Sequence, residues 1–342
     1  MTSPEPLLAP FSSLPLSPAT LDNLTQLGYL EMTSVQAAAL PPALAGRDVI
    51  AQAKTGSGKT AAFALALLAR LEVPRFAVQA LVLCPTRELA DQVTAEIRRL
   101  ARAEDNVKVV SLAGGVPLRG QAGSLERGVH VAVGTPGRVL DHLDRETLNL
   151  DALTTLVLDE ADRMLDMGFA DEIKRVLRRC PAQRQTLLFS ATYPTGIAQL
   201  AAKFLRDPVT VKVQALHGQE QIEQHWFEVT EAGRLPAVGQ LLAHFRPAST
   251  LAFCNTKVRA RELAALLQAQ GTSALALHGD LEQRERDQVM IQFVNGSCSV
   301  LVATDVAARG LDVAGLAAVI NVDIPNDAEV FVHRIGRTGR AG

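Results

Sequence analysis

Short apolar runs alternate with longer segments whose apolar residues recur every three or four positions, almost from one end of the chain to the other. Runs at 48–51, 80–84, 107–112, 129–133, 155–158 and 186–189 are rich in Val, Leu and Ile, and each leads into a helix-like segment. Unbroken apolar runs of this length are what strands covered on both faces look like. The pattern predicts a parallel sheet with helices on both sides. It restarts after about residue 220, with strands predicted at 250–254, 274–277, 300–303 and 317–322 and charged helices at 257–269 and 282–293. Between the two series, 214–224 is polar, lacks apolar periodicity and contains Gly218, so it reads as a linker. The expected organisation is α/β in two tandem domains, 1–213 and 225–342.

Composition supports this picture. A chain of 342 residues exceeds what one hydrophobic core organises, and two domains of roughly 100–200 residues are the natural division. Only 4% of residues are aromatic and Trp226 is the single tryptophan, so packing rests on Leu, Val and Ala. The formal net charge of −2 supplies no bulk attraction for nucleic acid, so a polyanion would have to meet a local basic surface. Cys84, Cys180, Cys254 and Cys298 are scattered without a CxxC pair, which indicates neither a zinc site nor a disulfide framework. A reducing, cytoplasmic setting is expected. The first 20 residues lack the basic start and apolar run of a signal peptide. The Ala/Leu-rich stretch at 61–71 is too short to cross a bilayer, so no membrane partner is expected. The second sheet is expected to need a strand beyond GRTGR (336–340), so the chain is expected to be part of a longer protein.

The candidate chemistry sits where predicted strands end. AKTGSGKT (53–60) follows one strand and opens a helix. Gly56 and Gly58 let backbone amides wrap a phosphate, Thr55 and Ser57 lie in the same turn, Lys59 reaches terminal phosphates, and Thr60 offers a hydroxyl to Mg2+. Ala53 stands where the strict motif has glycine. DEAD (159–162) follows the run 156–158 and so emerges at the carboxyl edge of the sheet. Asp159 is placed to hold Mg2+, directly or through water, and Glu160 to orient and deprotonate the attacking water. In HRIGRTGR (333–340), Arg334, Arg337 and Arg340 are spaced by three, so on a helix they would share a face aimed at one anion. That anion is either the ATP γ-phosphate or a nucleic-acid phosphate. His278 and His333 have no partner at metal-ligand spacing.

Taken together with SAT (190–192), these motifs resemble those of DEAD-box ATP-dependent RNA helicases. The likeness extends to PTRELA (85–90), Gly114 and Gly115, TPGR (135–138), FCNTK (253–257), HGDLEQRER (278–286) and ATDVAARGLD (303–312). It runs from Phe11 to the end and is most similar to the DbpA branch, whose members carry a further domain that targets ribosomal RNA. The resemblance implies two RecA-like domains that ATP and single-stranded RNA close together, unpairing a short duplex, with the core acting as a monomer. By the same resemblance, Gln36 in GYLEMTSVQ (28–36) would read the adenine edge and Phe11 would stack on the base, although a core aromatic serves equally well for Phe11. Asp312 would contact the ribose, Arg309 would support Arg337 and Arg340, and His333 would bridge the domains. Ser190 and Thr192 would bond back to Asp162, coupling nucleotide to RNA. Pro85, Thr86, Arg87, Gly115, Thr135 and Arg138 in the first domain would hold RNA, as would Lys257, Gln283, Arg286, Thr304 and Asp305 in the second. For Thr135 and Lys257, helix capping and an ordinary surface role remain alternatives.

Rival functions differ in the residues they need. An ATP-gated clamp with little unwinding is expected to lose Glu160 or the arginines, and this chain keeps them, whereas a scaffold acting chiefly through protein partners would need an extended appendage. A translocating helicase of the same superfamily would share the phosphate loop but not the DEAD and SAT wording or the Gln36 element.

Overall fold

A computed structural model describes residues 9–53, 56–213, 222–308, 316–325 and 328–338, with the backbone alone for Val306, Ala328, Glu329, Val332 and His333. The chain divides into two compact units, Met1–Ala215 and Leu216–Gly342. Of the expected linker at 214–224, all but the last three residues lie outside the described residues.

The first unit is built on seven parallel strands: β1 (Val49–Gln52), β2 (Ala80–Leu83), β3 (Val109–Leu112), β4 (Val131–Gly134), β5 (Thr155–Leu158), β6 (Gln185–Ser190) and β7 (Val209–Lys212). Their order across the sheet is β3-β4-β2-β5-β6-β1-β7. Side chains alternate between two cores. Val49, Val82, Val157 and Phe189 face one, with Leu40, Phe63 and Ile97 from the helices, while Ile50, Leu81, Leu156 and Leu188 face the other, with Val139, Val176 and Ile197. Apolar residues on both faces explain why these strands read as unbroken runs.

Helix Lys59–Leu68 is buried on nearly every side, which accounts for the Ala/Leu stretch seen in the sequence. The β7 strand was not anticipated. Among the described residues it lies at the sheet edge, paired with β1, and its Val-Thr-Val-Lys alternation leaves Thr210 and Lys212 exposed. A half-covered edge strand needs fewer apolar residues and so gives a weaker signal.

Among the described residues, the second unit contains four parallel strands, β8 (Thr250–Cys254), β9 (Ala274–Leu277), β10 (Val300–Thr304) and β11 (Ala318–Asn321), in the order β11-β8-β10-β9. Ala252 and Val302 face one core while Phe253 and Leu301 face the other. Helix Lys257–Ala269 begins at Thr256, whose hydroxyl accepts from Arg259 N–H at 3.2 Å, and helix Gln283–Val294 begins with a Glu282–Glu285 capping box. Among the described residues, no helix is long and apolar enough to cross a membrane.

Candidate active site

Because every strand of the first sheet is parallel, all carboxyl ends meet along one edge, where ligands of such sheets bind. The strand order sorts the candidate residues into two neighbouring halves. From β3, β4 and β2 emerge Gly114–Gly115, Thr135 and Pro85–Arg87; from β5, β6 and β1 emerge Asp159, Ser190 and the phosphate loop.

In the second half, Gly56 and Gly58 have φ of 82° and 89°, values that disfavour any side chain, and Gly58 caps helix Lys59–Leu68. A Cβ at Gly58 would lie 2.6 Å from Gln36 Nε2. That glutamine is buried, donates to Gly58 O at 3.1 Å and accepts from Thr33 N–H at 2.9 Å. The side chain of Thr33 donates to Ser57 O at 2.7 Å. The segment bearing Gln36 therefore grips the phosphate loop from below. Among the described residues, each end of the Gln36 amide makes one hydrogen bond and has capacity for one more. Lys59 is buried, with Nζ donating to Ala53 O at 2.9 Å, and Thr60 is half-buried in the first helical turn. Phe11 packs in the core, 3% exposed and edge-to-face with Tyr29, so stacking on a base would require uncovering its ring.

Asp159 is 3% exposed, and its Oδ1 accepts from Glu160 N–H at 3.0 Å. Burial pushes its carboxyl up to about 7, against the pull of Lys59 and with added repulsion from Glu160 and Asp162. At Glu160 the backbone turns left-handed, with φ 49° and ψ 52°, before helix Ala161–Asp166. For a residue with a side chain this costs on the order of 1 kcal/mol. The carboxylate of Glu160 pairs with Arg163 Nη1 at 2.5 Å, both side chains nearly covered. Asp162 joins DEAD to SAT: its Oδ2 accepts from Ala191 N–H, Thr192 N–H and Thr192 Oγ1–H at 3.1, 2.7 and 2.8 Å, and its own N–H donates to Ser190 Oγ at 3.2 Å.

In the other half, Thr86 caps helix Arg87–Leu100 with its hydroxyl, which accepts from Leu89 N–H at 3.2 Å. Thr135 occupies the equivalent place before helix Pro136–Asp144 but makes no side-chain cap. Its N–H donates to Leu112 O at 3.1 Å, and a Cβ on the preceding Gly134 would lie 2.4 Å from that same oxygen. The ends of β3 and β4 are thus pressed together. Arg138 donates through Nη1 to Val116 O at 3.0 Å and to Gln121 Oε1 at 2.7 Å.

The second unit gathers Lys257, Gln283, Arg286, Thr304 and Asp305 after β8, β9 and β10. Lys257 Nζ pairs with Asp280 at 2.9 Å, Gln283 donates to Asp287 at 2.8 Å, and Arg286 Nη2 lies 3.4 Å from Ala307 O. Both oxygens of Asp305 accept from Arg334, at 2.7 and 2.6 Å. Arg334 also donates to Asn255 Oδ1, Asn321 Oδ1 and Asp323 O, is 2% exposed and lies over the Phe253 ring at 5.0 Å. This corrects the expectation of three arginines on one helical face. Arg334 is a structural clamp with its donors engaged inside the unit, and the helix Ala328–Ile335 ends before Arg337, which lies buried in the following turn. Thr55, Arg309, Asp312 and Arg340, and the side chain of His333, lie outside what is described.

The profile of the DEAD/DEAH box helicase family matches residues 33–200, and that of the helicase conserved C-terminal domain matches 233–342. ATP-dependent RNA helicase DbpA of Escherichia coli is 56% identical over 327 residues, spanning 96% of this chain and 72% of that protein. The chain belongs to the DEAD/DEAH box helicase family. DEAD-box ATP-dependent RNA helicase CshA of Geobacillus kaustophilus is 46% identical, covering 97% of this chain and 71% of its own. Among solved structures, Saccharomyces cerevisiae Dbp5 bound to RNA and ADP BeF3 aligns with a TM-score of 0.86 at 33% identity, over 97% of this chain and 86% of that one. A DEAD box protein from Methanococcus jannaschii aligns at 0.60 and 40% identity, over 97% and 90%. The tandem parallel-sheet domains of this family are the architecture seen here.

Sequence reasoning missed Gln121, Arg163 and Asp323, whose partners define parts of these sites. For Arg163 a signal existed, since a basic residue three positions after Glu160 in a short helix is at pairing distance. Gln121 and Asp323 stand outside any motif, and their importance comes from partners brought together by folding.

Proposed function

We propose that this helicase-family chain is an RNA-dependent ATPase that unwinds short RNA duplexes or remodels RNA–protein complexes by ATP-driven domain closure. The observation that carries the reading is the continuous edge of the first sheet, on which phosphate loop, DEAD and SAT adjoin Pro85–Arg87, Thr135 and Arg138. Asp162 ties Ser190 and Thr192 to the residue pair that would act on ATP, so a change at the γ-phosphate has a short route to the neighbouring half. Small polar groups and backbone amides suit contacts to phosphate and 2′-hydroxyl, which hold RNA without reading sequence.

Asp159 and Thr60 fit a Mg2+ ion that would be held through one carboxylate and a hydroxyl, partly through water, beside the nucleotide's phosphates, the usual arrangement for this cation. When bound, it would neutralise charge building on the phosphate oxygens. Lys59 would hold the terminal phosphates, Gln36 the adenine edge, and Glu160 would accept the proton of the attacking water. Arg337 and Arg340 are assigned to the developing charge, Arg309 and Asp312 to their support and to the ribose. In the second unit, Lys257, Gln283, Arg286 and Thr304 are assigned to RNA, with Asp305 acting through Arg334. We extend this reading to a cytoplasmic role in ribosomal RNA maturation, which the likeness to DbpA supports.

Steady-state ATP hydrolysis with single-stranded RNA, matched DNA and no nucleic acid tests this. RNA alone is expected to stimulate turnover in the intact chain, and Glu160→Gln is expected to abolish it. Equal rates with DNA would favour a translocating helicase. For the finer assignment, ribosomal RNA fragments should compete better than unrelated RNA of equal length.

A further inference from the structure

Gln121 lies in helix Leu118–Glu126, outside every motif, yet it is 7% exposed with its whole amide engaged. Its Nε2 donates to Ser111 O at 3.3 Å and Ala113 O at 2.9 Å, at the end of β3 just before the Gly114–Gly115 turn. Its Oε1 accepts from Arg138 Nη1 at 2.7 Å and from His142 Nε2–H at 3.0 Å, both on the helix that follows β4. These partners fix the amide orientation, because two carbonyls need the nitrogen and a guanidinium needs the oxygen.

The ring of His142 is itself fully covered, and the Thr147 hydroxyl lies 2.8 Å from its Nδ1. An amide oxygen only accepts, so Nε2 carries the proton; the single hydrogen of the Thr147 hydroxyl faces both Nδ1 and His142 O, the latter at 3.2 Å. Burial lowers the His142 pKa, with Arg138 adding to the effect, so the ring stays neutral and donates in one direction only. Gln121 is thereby held from behind.

Both hydrogen bonds of Arg138 use Nη1; its Nε and Nη2 make none among the described residues. An arginine pinned by one nitrogen presents the other two as a fork that matches two oxygens of a phosphate. The same amide that pins Arg138 also shapes the backbone entering the Gly-Gly turn, where Gly115 has φ 79°. One side chain thus sets two strand-end segments relative to each other.

We propose that Gln121 is a positioning residue for RNA binding, presetting the Arg138 fork and the Gly114–Gly115 turn as a single receptor for consecutive backbone phosphates. This rests on the reading of the β3-β4-β2 edge as the RNA surface. The pre-set geometry lowers the ordering cost of binding, so losing it weakens RNA affinity without touching the nucleotide half.

The test is ATP hydrolysis by the full chain as a function of single-stranded RNA concentration, for wild type, Gln121→Leu, Arg138→Ala and the double variant, with thermal melts of each. Gln121→Leu is expected to raise the half-saturating RNA concentration about 10-fold, which is about 1.4 kcal/mol, while KM for ATP and kcat at saturating RNA stay within about 2-fold. In the Arg138→Ala background the same substitution should add less than about 2-fold, the non-additivity of residues acting as a unit. Gln121→Glu keeps the acceptor for Arg138 and loses the donors to Ser111 and Ala113, so it should fall between wild type and Gln121→Leu and serves if Gln121→Leu does not fold. A folded variant with unchanged RNA requirement, a parallel loss of kcat and ATP affinity, or multiplicative effects with Arg138→Ala would each overturn the proposal. Wild type unresponsive to RNA would instead overturn the RNA reading itself.

Discussion

Asp159 in the first unit and Asp323 in the second are equally hidden, 3% and 5% exposed, yet folding drives their acidities in opposite directions. Burial disfavours the charge at both. At Asp323 it is outweighed by Asn255 N–H at 2.9 Å and by Arg259 and Arg234, at 2.5 and 2.9 Å, which hold the carboxyl below its usual range. At Asp159 burial wins, because one lysine faces three acids of the same motif, and the carboxyl rises to about 7. A buried carboxylate with its partners in place is a structural joint; one short of positive charge is prepared for a cation that arrives with the ligand.

The contrast makes its largest prediction for activity. Asp159→Asn should lower RNA-stimulated ATP turnover by about 10³-fold or more, since the only carboxylate assigned to Mg2+ is lost, while the thermal melt stays unchanged or rises. Asp323→Asn should do the reverse, destabilising the second unit by about 2 kcal/mol in urea unfolding, because Arg234 and Arg259 lose their buried carboxylate and keep only the exposed Glu231. Arg334→Lys should act in the same sense, because an ammonium cannot reproduce its fork onto Asp305. If Asp159→Asn unfolds the protein, or Asp323→Asn melts like wild type, the distinction between the two acids fails.

Acidity gives the smallest and most specific effect. Between about pH 4 and 7 the folded chain holds a proton on Asp159 that the unfolded chain has released. Its contribution to stability therefore falls as pH rises, by up to about 1.4 kcal/mol per pH unit. Asp323, with its pKa lowered, contributes stability above pH 4 that is lost as pH falls through its folded value. Unfolding free energy measured from pH 5 to 8 should lose the Asp159 slope in Asp159→Asn and keep it in Asp323→Asn. Mg2+ and ATP binding should release a proton near pH 7 in wild type and in Asp323→Asn, and not in Asp159→Asn.

Much of this molecule was legible before folding was considered. Ten of the eleven strands among the described residues announce themselves because each is a short apolar run, most of them buried on both faces, and the chemistry-bearing motifs sit at their carboxyl ends, where parallel pairing gathers them. The Asp162 contacts with Ser190 and Thr192 could be anticipated from the family wording alone. The charges were not legible in the same way. A regular spacing of three suggested that Arg334, Arg337 and Arg340 share a task, yet Arg334 is sealed among Asn255, Asp305, Asn321 and Asp323, and its bond to Asn255 spans 79 residues of sequence. Gln121 likewise gains its place from Ser111, Ala113, Arg138 and His142. Hydrophobic periodicity and motif spacing are local and survive in one dimension, so the sequence determined the strands, the two-sheet plan and the family chemistry. Whether a polar side chain is matched or left wanting depends on distant groups within about 3 Å, and only the tertiary structure decided that.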